Sequence, residues 1–284
     1  MRKFWANLLS AFVFPRERRH QLRRSLTTKS RDQLLEERMY ALASLVKAQS
    51  VHPKSFAPYR GINSGREVVI IATGPTLNDY EPIEGAVHIG MNSAFKWKKA
   101  KLDYYFFQDA SFAGLDRNNP PWGYTVADIN NYRPDGCVKF YGIAQSMLLQ
   151  RSPTIRIPLA DLLASGANPY ILEDPERNSI AYDLTCEPMG SFASVVFSAL
   201  QFALFTNPKR IYLVGTDCSD IHFDPADKTS LNFGAASAMR GDWQMFKEHV
   251  NTSYPELEVV SINPVGLRGL FNDLDTKAPG TKLA

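Results

Sequence analysis

The chain has 284 residues, 44% of them hydrophobic and 21% charged, which is enough apolar material for one large α/β domain or two small ones. Its three cysteines include no CxxC pair, a pattern that argues against a disulfide framework and a zinc knuckle and favours a reducing cytosol. Residues 1–31 contain nine Lys or Arg and one acid and so carry a charge of +8. Because the whole chain has a net charge of +3, the remaining residues carry −5. Because the basicity is local, nucleic acid is not an expected partner.

Residues 1–50 are predicted to form a helical, membrane-associating arm. Apolar residues such as Trp5 recur at helical spacing up to Pro15, and an arginine cluster follows, a pattern typical of an amphipathic helix on anionic lipid. The apolar stretch is too short to span a bilayer, and a signal peptide would place its basic residues first. A helix that packs on the protein's own body is the alternative. We expect a cytoplasmic protein held at the inner face of the membrane by residues 1–31.

A prolyl and glycyl stretch over 51–66 is predicted to link the arm to an α/β domain over 67–284. In this domain apolar runs alternate with helical patterns, which indicates one Rossmann-like, mostly parallel sheet with helices on both faces. Residues 110–188 are rich in Pro, Asn, Gly and Asp and are expected to form an irregular, lid-like insertion. The predicted strands are 67–72, 86–91, 103–107, 137–141, 210–215 and 257–262, and the predicted helices are 93–101, 190–206 and 240–252.

Polar residues follow four of the predicted strands. The first strand stops abruptly in "VVIIATGPTLNDY", where a glycine lets the backbone approach an anion closely. This loop is neither a GxGxxG fingerprint nor a Walker loop. Because parallel strands share one carboxyl edge, the polar strand ends are expected to meet there and bind a ligand. The residues concerned are Thr73, Gly74, Pro75, Thr76, Asn92, Gln108, Asp109, Gly215, Asp217, Ser219 and His222.

Each strand-end residue also has a structural interpretation. Asn92 could cap the helix that follows it, and Asp109 could cap a helix or form a turn. Asp217 follows a buried strand, where an unpaired carboxylate would be costly, so it should orient a loop, hold a ligand or bind a metal. No His, Cys and Asp cluster has metal-ligand spacing, and no cofactor is required, although Asp109 with Asp217 could hold Mg²⁺.

The order of "IIATGPTLND", "GMNSAF", "DYYFFQD" and "MGSFASVVFSALQFALFTNPKRIYLVGTD" resembles that of the bacterial sialyltransferases of the family that includes the Campylobacter enzymes, and of the related DUF115 proteins. The resemblance spans about residues 67–265 and implies a GT-A-like variant of the α/β fold. It also implies that residues 73–76 border the donor phosphate, that Asn92 and Gln108 hold the nucleotide, and that Gly190 and Ser191 contact cytidine or its ribose.

This chain departs from the family's pattern at three places. Thr76 stands where a serine is usual, and Cys218 and Ser219 stand where a tyrosine is expected. The family carries its base in the stretch that corresponds to 231–242, which contains no histidine here. Among the five histidines, His222 lies just past a site strand and is the best-placed base, with Asp109 or Asp217 as substitutes.

These observations predict a bacterial glycosyltransferase. It would move a sugar of the sialic acid or Kdo type from a CMP-activated donor to a glycan or lipid-linked acceptor, as in lipopolysaccharide or capsule synthesis. A DUF115-type diphosphokinase that uses ATP and Mg²⁺ is one alternative. A non-catalytic, membrane-associated scaffold with a nucleotide pocket is the other, and self-association is left open.

Overall fold

The computed structural model describes residues 51–108, 123–144, 166–173, 179–192, 194–219, 221–226 and 235–276. The arm predicted over 1–50 and the candidate residue Asp109 lie outside these ranges. In the described part of the chain, no helix combines the length and the apolar character needed to cross a membrane.

Eight parallel strands form one sheet in the order β5-β4-β3-β2-β1-β6-β7-β8. This confirms the predicted α/β class, and six of the strands match predicted ones. The strands β5 and β8 were not predicted, because the first lies in a stretch read as irregular and the second is short and polar. The strands are β1 Glu67–Ile71, β2 Val87–Met91, β3 Tyr104–Phe107, β4 Val138–Ala144, β5 Asn168–Leu172, β6 Arg210–Val214, β7 Glu258–Ile262 and β8 Asn272–Leu274.

The strand order reverses direction between β1 and β6. From β1 the chain adds strands β2 to β5 on one side, whereas β6, β7 and β8 extend the sheet on the other side. The two central strands pair in parallel with Ile71 opposite Val214. At such a switch point the loops that leave neighbouring strands diverge, and a crevice opens at their carboxyl ends.

Helices and turns cover both faces of the sheet. The three described α-helices are α1 Val126–Asn131, α2 Val196–Phe205 and α3 Ala235–Ser253. All ten residues of α2 are buried, as its all-round apolar sequence predicts for a central helix. Val68 and Ile70 pack in the cluster that contains α2, while Val69 and Ile71 pack in the cluster on the opposite face. This alternation explains why β1 reads as one continuous apolar run.

Several predicted elements differ from the observed ones. The helix expected over 190–206 begins only at Val196. The helix expected over 93–101 is a five-residue 3-10 turn, Asn92–Lys96. Within the expected insertion over 110–188, the described residues form α1, strand β5 and all of β4. These strands are ordered by pairing with their neighbours, which the turn-rich composition of the region does not indicate. The role of this region as a lid stays a prediction.

Residues 51–66, expected as a linker, are folded onto the sheet. A helical turn over 51–56 leads into the 3-10 turn Ala57–Tyr59. The fully buried ring of Phe56 stacks on Phe140 with 5.1 Å between ring centroids. The stretch therefore contributes to the core, and the wider division into arm, linker and domain stays a prediction.

Candidate functional site

A cleft with a volume of about 260 Å³ opens at the carboxyl ends of β1 and β6. It lies at the switch point of the sheet, the usual place for a ligand in an open α/β fold. Strand ends from both halves of the sheet and the start of α2 form its wall. Eight of the residues predicted from the sequence line it: Thr73, Gly74, Asn92, Gln108, Gly215, Asp217, Ser219 and His222.

The loop Thr73–Thr76, here called the glycine loop, touches the end of β6 through backbone atoms. Gly74 N–H donates to the carbonyl oxygen of Gly215 at 2.7 Å. A Cβ atom placed on Gly74 would overlap Asp217 Oδ2 and lie 2.6 Å from that same carbonyl oxygen. Gly215 has a φ of +67°, a conformation that side-chain-bearing residues rarely adopt. Both glycines are therefore required by the close approach of the two loops.

Asp217 fixes the glycine loop. Its side chain is buried, with 2% of the residue exposed. Oδ2 accepts the Thr76 backbone N–H at 3.0 Å, and Oδ1 accepts the Thr76 hydroxyl at 2.7 Å. Burial raises the pKa of the Asp217 carboxyl, and the two bonds from Thr76 oppose that rise. Of the three roles the sequence allowed for Asp217, the geometry shows the orientation of a loop. Pro75 and Thr76 are not among the described lining residues. They begin the 3-10 turn that follows Gly74.

Asn92 lines the cleft at the end of β2. It begins the 3-10 turn after β2 with a φ of +47°, a region that asparagine tolerates better than most residues. Its backbone oxygen accepts the Tyr105 hydroxyl at 2.8 Å. Met91 holds the N-cap position, and the Asn92 side chain makes no hydrogen bond to another described residue. A capping role is therefore not what positions this side chain.

Gln108 is anchored on one side of its amide. Its Oε1 accepts the Ser198 hydroxyl at 3.1 Å and the Tyr170 hydroxyl at 3.4 Å. Tyr170 is fully buried, and burial raises the pKa of its phenol. Two hydroxyls hold the oxygen, and the Gln108 nitrogen, which has no bond to another described residue, is the atom able to donate to a ligand in the cleft.

The start of α2 forms a wall of the cleft that sequence reasoning missed. Ser194, Val195 and Val196 line it, and the Ser194 hydroxyl accepts the Val196 N–H at 3.4 Å. The N–H groups of Phe197 and Ser198 donate to the carbonyl oxygens of Ser194 and Val195, so this helix end offers an anion the positive end of the helix dipole. The sequence signal for this wall was the apolar run that follows Gly190. The helix within that run begins only at Val196, so the residues at the cleft lie later in the chain than expected.

Gly190 and Ser191, expected at the nucleotide, do not line the cleft. Gly190 N–H donates to Gln201 Oε1 at 2.9 Å, and a Cβ atom on Gly190 would overlap the Ser179 carbonyl oxygen. This glycine therefore serves tight packing beside the Leu172 and Met189 bridge.

His222 lies at the rim of the cleft beside the glycine loop. Its Nδ1 is 3.4 Å from the Thr73 hydroxyl. The next residue, Phe223, donates its backbone N–H to the Thr73 carbonyl oxygen at 2.9 Å. This contact places the His222 ring beside the glycine loop, among the residues that line the cleft.

The neighbouring residues of the β6 loop have mainly structural contacts. Ser219 Oγ accepts the Ile221 N–H at 3.4 Å, so its hydroxyl shapes the turn before His222. Cys218 adopts a φ of +50°, and burial raises the pKa of its thiol to about 11. At neutral pH this cysteine is a protonated thiol and a poor nucleophile.

The donors on the described part of the cleft wall are neutral groups. They are side-chain amides and hydroxyls together with the dipole of α2, and no Lys or Arg is among them. In the described ranges, no group of three or more His, Cys, Asp or Glu is placed to hold a metal ion. Of the two carboxylates considered for Mg²⁺, Asp217 is already bonded through both oxygens to Thr76.

Comparison with solved structures finds distant similarity. No protein-family profile and no curated protein matches the chain. Among solved structures, the sialyltransferase CstII from Campylobacter jejuni, determined in complex with the substrate analogue CMP-3FNeuAc, is similar at 14% identity and a TM-score of 0.40. The match covers 69% of this chain and 80% of that one. A likeness at this level carries no argument about chemistry, so the cleft is judged on its own geometry.

Proposed function

We propose that the protein is a glycosyltransferase that takes a sugar of the sialic acid or Kdo type from a CMP-activated donor. The acceptor is a cell-surface glycan or its lipid-linked precursor, as in lipopolysaccharide or capsule synthesis. The observation that carries the proposal is the meeting of Gly74, Asn92, Gln108 and the start of α2 in one cleft at the switch point of the sheet.

The charge of the cleft wall favours a nucleoside monophosphate ester. Such a donor carries one negative charge on its phosphodiester and one on the carboxylate of its sugar, and side-chain amides and the positive end of a helix dipole stabilise charges of this size. ATP carries more charge, and enzymes usually bind its phosphates with Mg²⁺ and with Lys or Arg. The neutral donors along the described wall match the smaller charge.

In the proposed reaction His222 is the general base. Its imidazole takes the proton of the acceptor hydroxyl while the acceptor oxygen forms a bond to the anomeric carbon of the sugar. The bond between that carbon and the phosphate oxygen breaks, and CMP leaves with the electron pair. The Thr73 hydroxyl holds Nδ1 of His222. The side-chain amides of Asn92 and Gln108 and the positive end of the α2 dipole would stabilise the charge on the departing phosphate. Asp109 is the alternative base.

The proposed arm over residues 1–31 would hold the enzyme on the cytoplasmic leaflet. Its arginine cluster follows an apolar, aromatic stretch, and such a segment binds anionic lipid through both parts. An acceptor carried on lipid would then be concentrated beside the cleft.

Thermal-shift measurements with CMP, CDP, UDP, GDP and ATP, each in EDTA and in Mg²⁺, test the proposal. A ligand that binds the folded state raises the melting temperature according to its concentration and affinity. We expect CMP to stabilise the protein in EDTA. Stabilisation by ATP only in Mg²⁺ would favour a diphosphokinase, and stabilisation by no nucleotide would favour a non-catalytic scaffold.

A further inference from the structure

We propose that Lys96 and Asp224 are positioning residues for His222. Lys96 ends the 3-10 turn that Asn92 begins, and it pairs with Asp224, two residues past His222. One turn would therefore carry a nucleotide contact at its start and anchor the segment of the base at its end. The inference rests on the proposed function, because that function assigns the role of base to His222.

The first observation is a partly buried ion pair behind the cleft. Lys96 Nζ contacts Asp224 Oδ2 and also donates to the Gly123 carbonyl oxygen at 2.6 Å. Only 13% of the Asp224 side chain is exposed. Its Oδ1 accepts the Ala226 N–H at 3.0 Å. Burial alone would raise the pKa of the Asp224 carboxyl, but the bonds from Lys96 and Ala226 outweigh burial and hold that pKa below its ordinary value.

The second observation is the place of His222 in the segment 221–226. The two residues that follow it are both anchored. Phe223 donates its N–H to the Thr73 carbonyl oxygen at 2.9 Å and packs against the core, and Asp224 is held by Lys96. Because these two consecutive residues are anchored, the backbone of His222 is held in place beside Thr73. Its ring is therefore kept within reach of the Thr73 hydroxyl.

The third observation is that Lys96 ends the turn that Asn92 begins. The three residues between them are buried, so the turn cannot shift without disturbing the core. The pair differs in this respect from Lys99 with Glu81, whose side chains are 40% and 74% exposed. Exposed pairs of that kind contribute little to structure.

The experiment compares Lys96→Met and Asp224→Asn with Lys96→Arg and with a control, Lys209→Met. Lys209 lies at the amino end of β6 with a weak 3.6 Å contact to Glu67, on the edge opposite the cleft. The readouts are the side-chain NMR signals of His222, assigned by their loss in His222→Asn, together with kcat and the Kd for CMP. Melting curves select variants that are folded.

We expect Lys96→Met and Asp224→Asn to shift the His222 signals and to lower kcat roughly tenfold, since misplacing a reacting group by a fraction of an ångström slows the chemical step. The Kd for CMP should change less than about twofold, because one ion pair outside the cleft adds little to binding. In Lys96→Arg and in Lys209→Met, the His222 signals and kcat should stay close to those of the wild type.

Unchanged His222 signals in folded Lys96→Met and Asp224→Asn would overturn the positioning role. This measurement needs no transfer activity, so it tests the positioning role separately from the proposed reaction. Full activity of His222→Asn would instead overturn the assignment of the base.

Discussion

The carboxylate of Asp217 accepts both the backbone N–H and the hydroxyl of Thr76, at 3.0 and 2.7 Å. The two residues follow different strands, β1 and β6, and are 141 positions apart in the chain. Their contact closes the back of the cleft and holds the glycine loop in one conformation. A buried carboxylate without hydrogen-bond donors is costly, so the residue that donates to both of its oxygens is important for stability.

Replacing Thr76 by valine should therefore destabilise the protein. The substitution keeps the shape of the side chain but removes the donor to Asp217 Oδ1, and leaving a buried acceptor unpaired costs about 1–3 kcal/mol. Urea denaturation gives the free energy of unfolding. Thr76→Ser, which keeps the hydroxyl, is the matched control and should remain close to the wild type. Equal stability of the valine variant would show that Asp217 does not depend on this bond.

Gly74→Ala should damage the cleft. Its Cβ would meet Asp217 Oδ2 and the Gly215 carbonyl oxygen, and forcing a methyl group into such a contact costs about 1–3 kcal/mol. Gly241→Ala, within α3 and with nothing near the added Cβ, should stabilise the protein by about 0.5–1 kcal/mol. Melting temperatures that move in opposite directions would support this reading, and a harmless Gly74→Ala would refute the close approach.

Asn92 should matter for ligand binding and not for stability. In Asn92→Gly the side chain is lost, while the backbone at a φ of +47° is as comfortable as before. We expect the affinity for CMP, measured by calorimetry, to fall roughly tenfold, the value of one good hydrogen bond, with an unchanged melting temperature. Asn92→Ala should lose the same affinity and also about 1 kcal/mol of stability from backbone strain. Wild-type affinity in Asn92→Gly would remove this residue from the site.

The free energy of unfolding should fall in mild acid, in part because of His52. Burial lowers the pKa of this histidine from its ordinary 6.5. Nδ1 accepts the Ile171 N–H at 2.9 Å, and Nε2 is 2.8 Å from the Glu187 carbonyl oxygen, so a second proton would break the bond to Ile171. As the pH falls, His52 is protonated in the unfolded chain at a higher pH than in the folded protein. The contribution of neutral His52 to the free energy of unfolding is therefore fully present above pH 6.5 and is lost as the pH falls towards the lower pKa of the folded state.

Urea denaturation at about pH 7.5 and about pH 5.5 tests this dependence. His52→Gln should lower stability at the higher pH and reduce the difference between the two conditions. His88 and His249 also have a pKa lowered by burial, so part of the difference should remain. An identical pH dependence in wild type and variant would show that His52 does not titrate with folding.

Reversing the charge of the N-terminal arm tests the membrane proposal. Arg18, Arg19, Arg23 and Arg24 changed together to Glu should release the protein from anionic vesicles, since each basic residue near such a surface adds about 1 kcal/mol to binding. Sedimentation with vesicles that contain phosphatidylserine is the measurement, and neutral vesicles serve as the control. Undiminished sedimentation of the variant with the anionic vesicles would reject electrostatic attachment.

The elements of the fold that sequence patterns predicted are those with a strong local signal. The strand β1 is a continuous apolar run that stops at a glycine, and α2 is apolar on every side and bounded by turn residues. The strands β5 and β8 lacked such a signal, because "NPYIL" lies in a proline-rich region and "NDL" is short and polar. Their place in the sheet depends on pairing with β4 and β7.

The sequence by itself determined where the polar strand ends lie, because a break from apolar to polar residues is a local property of the chain. Tertiary structure alone decided which polar atoms are left for a ligand. Asp217 and Asn92 look alike as residues that follow a buried strand. The Asp217 side chain is nevertheless bonded to Thr76, whereas the Asn92 side chain has no hydrogen bond to another described residue and Asn92 lines the cleft. The physical reason is that a hydrogen bond between distant residues depends on how the loops meet in space, which no local pattern encodes.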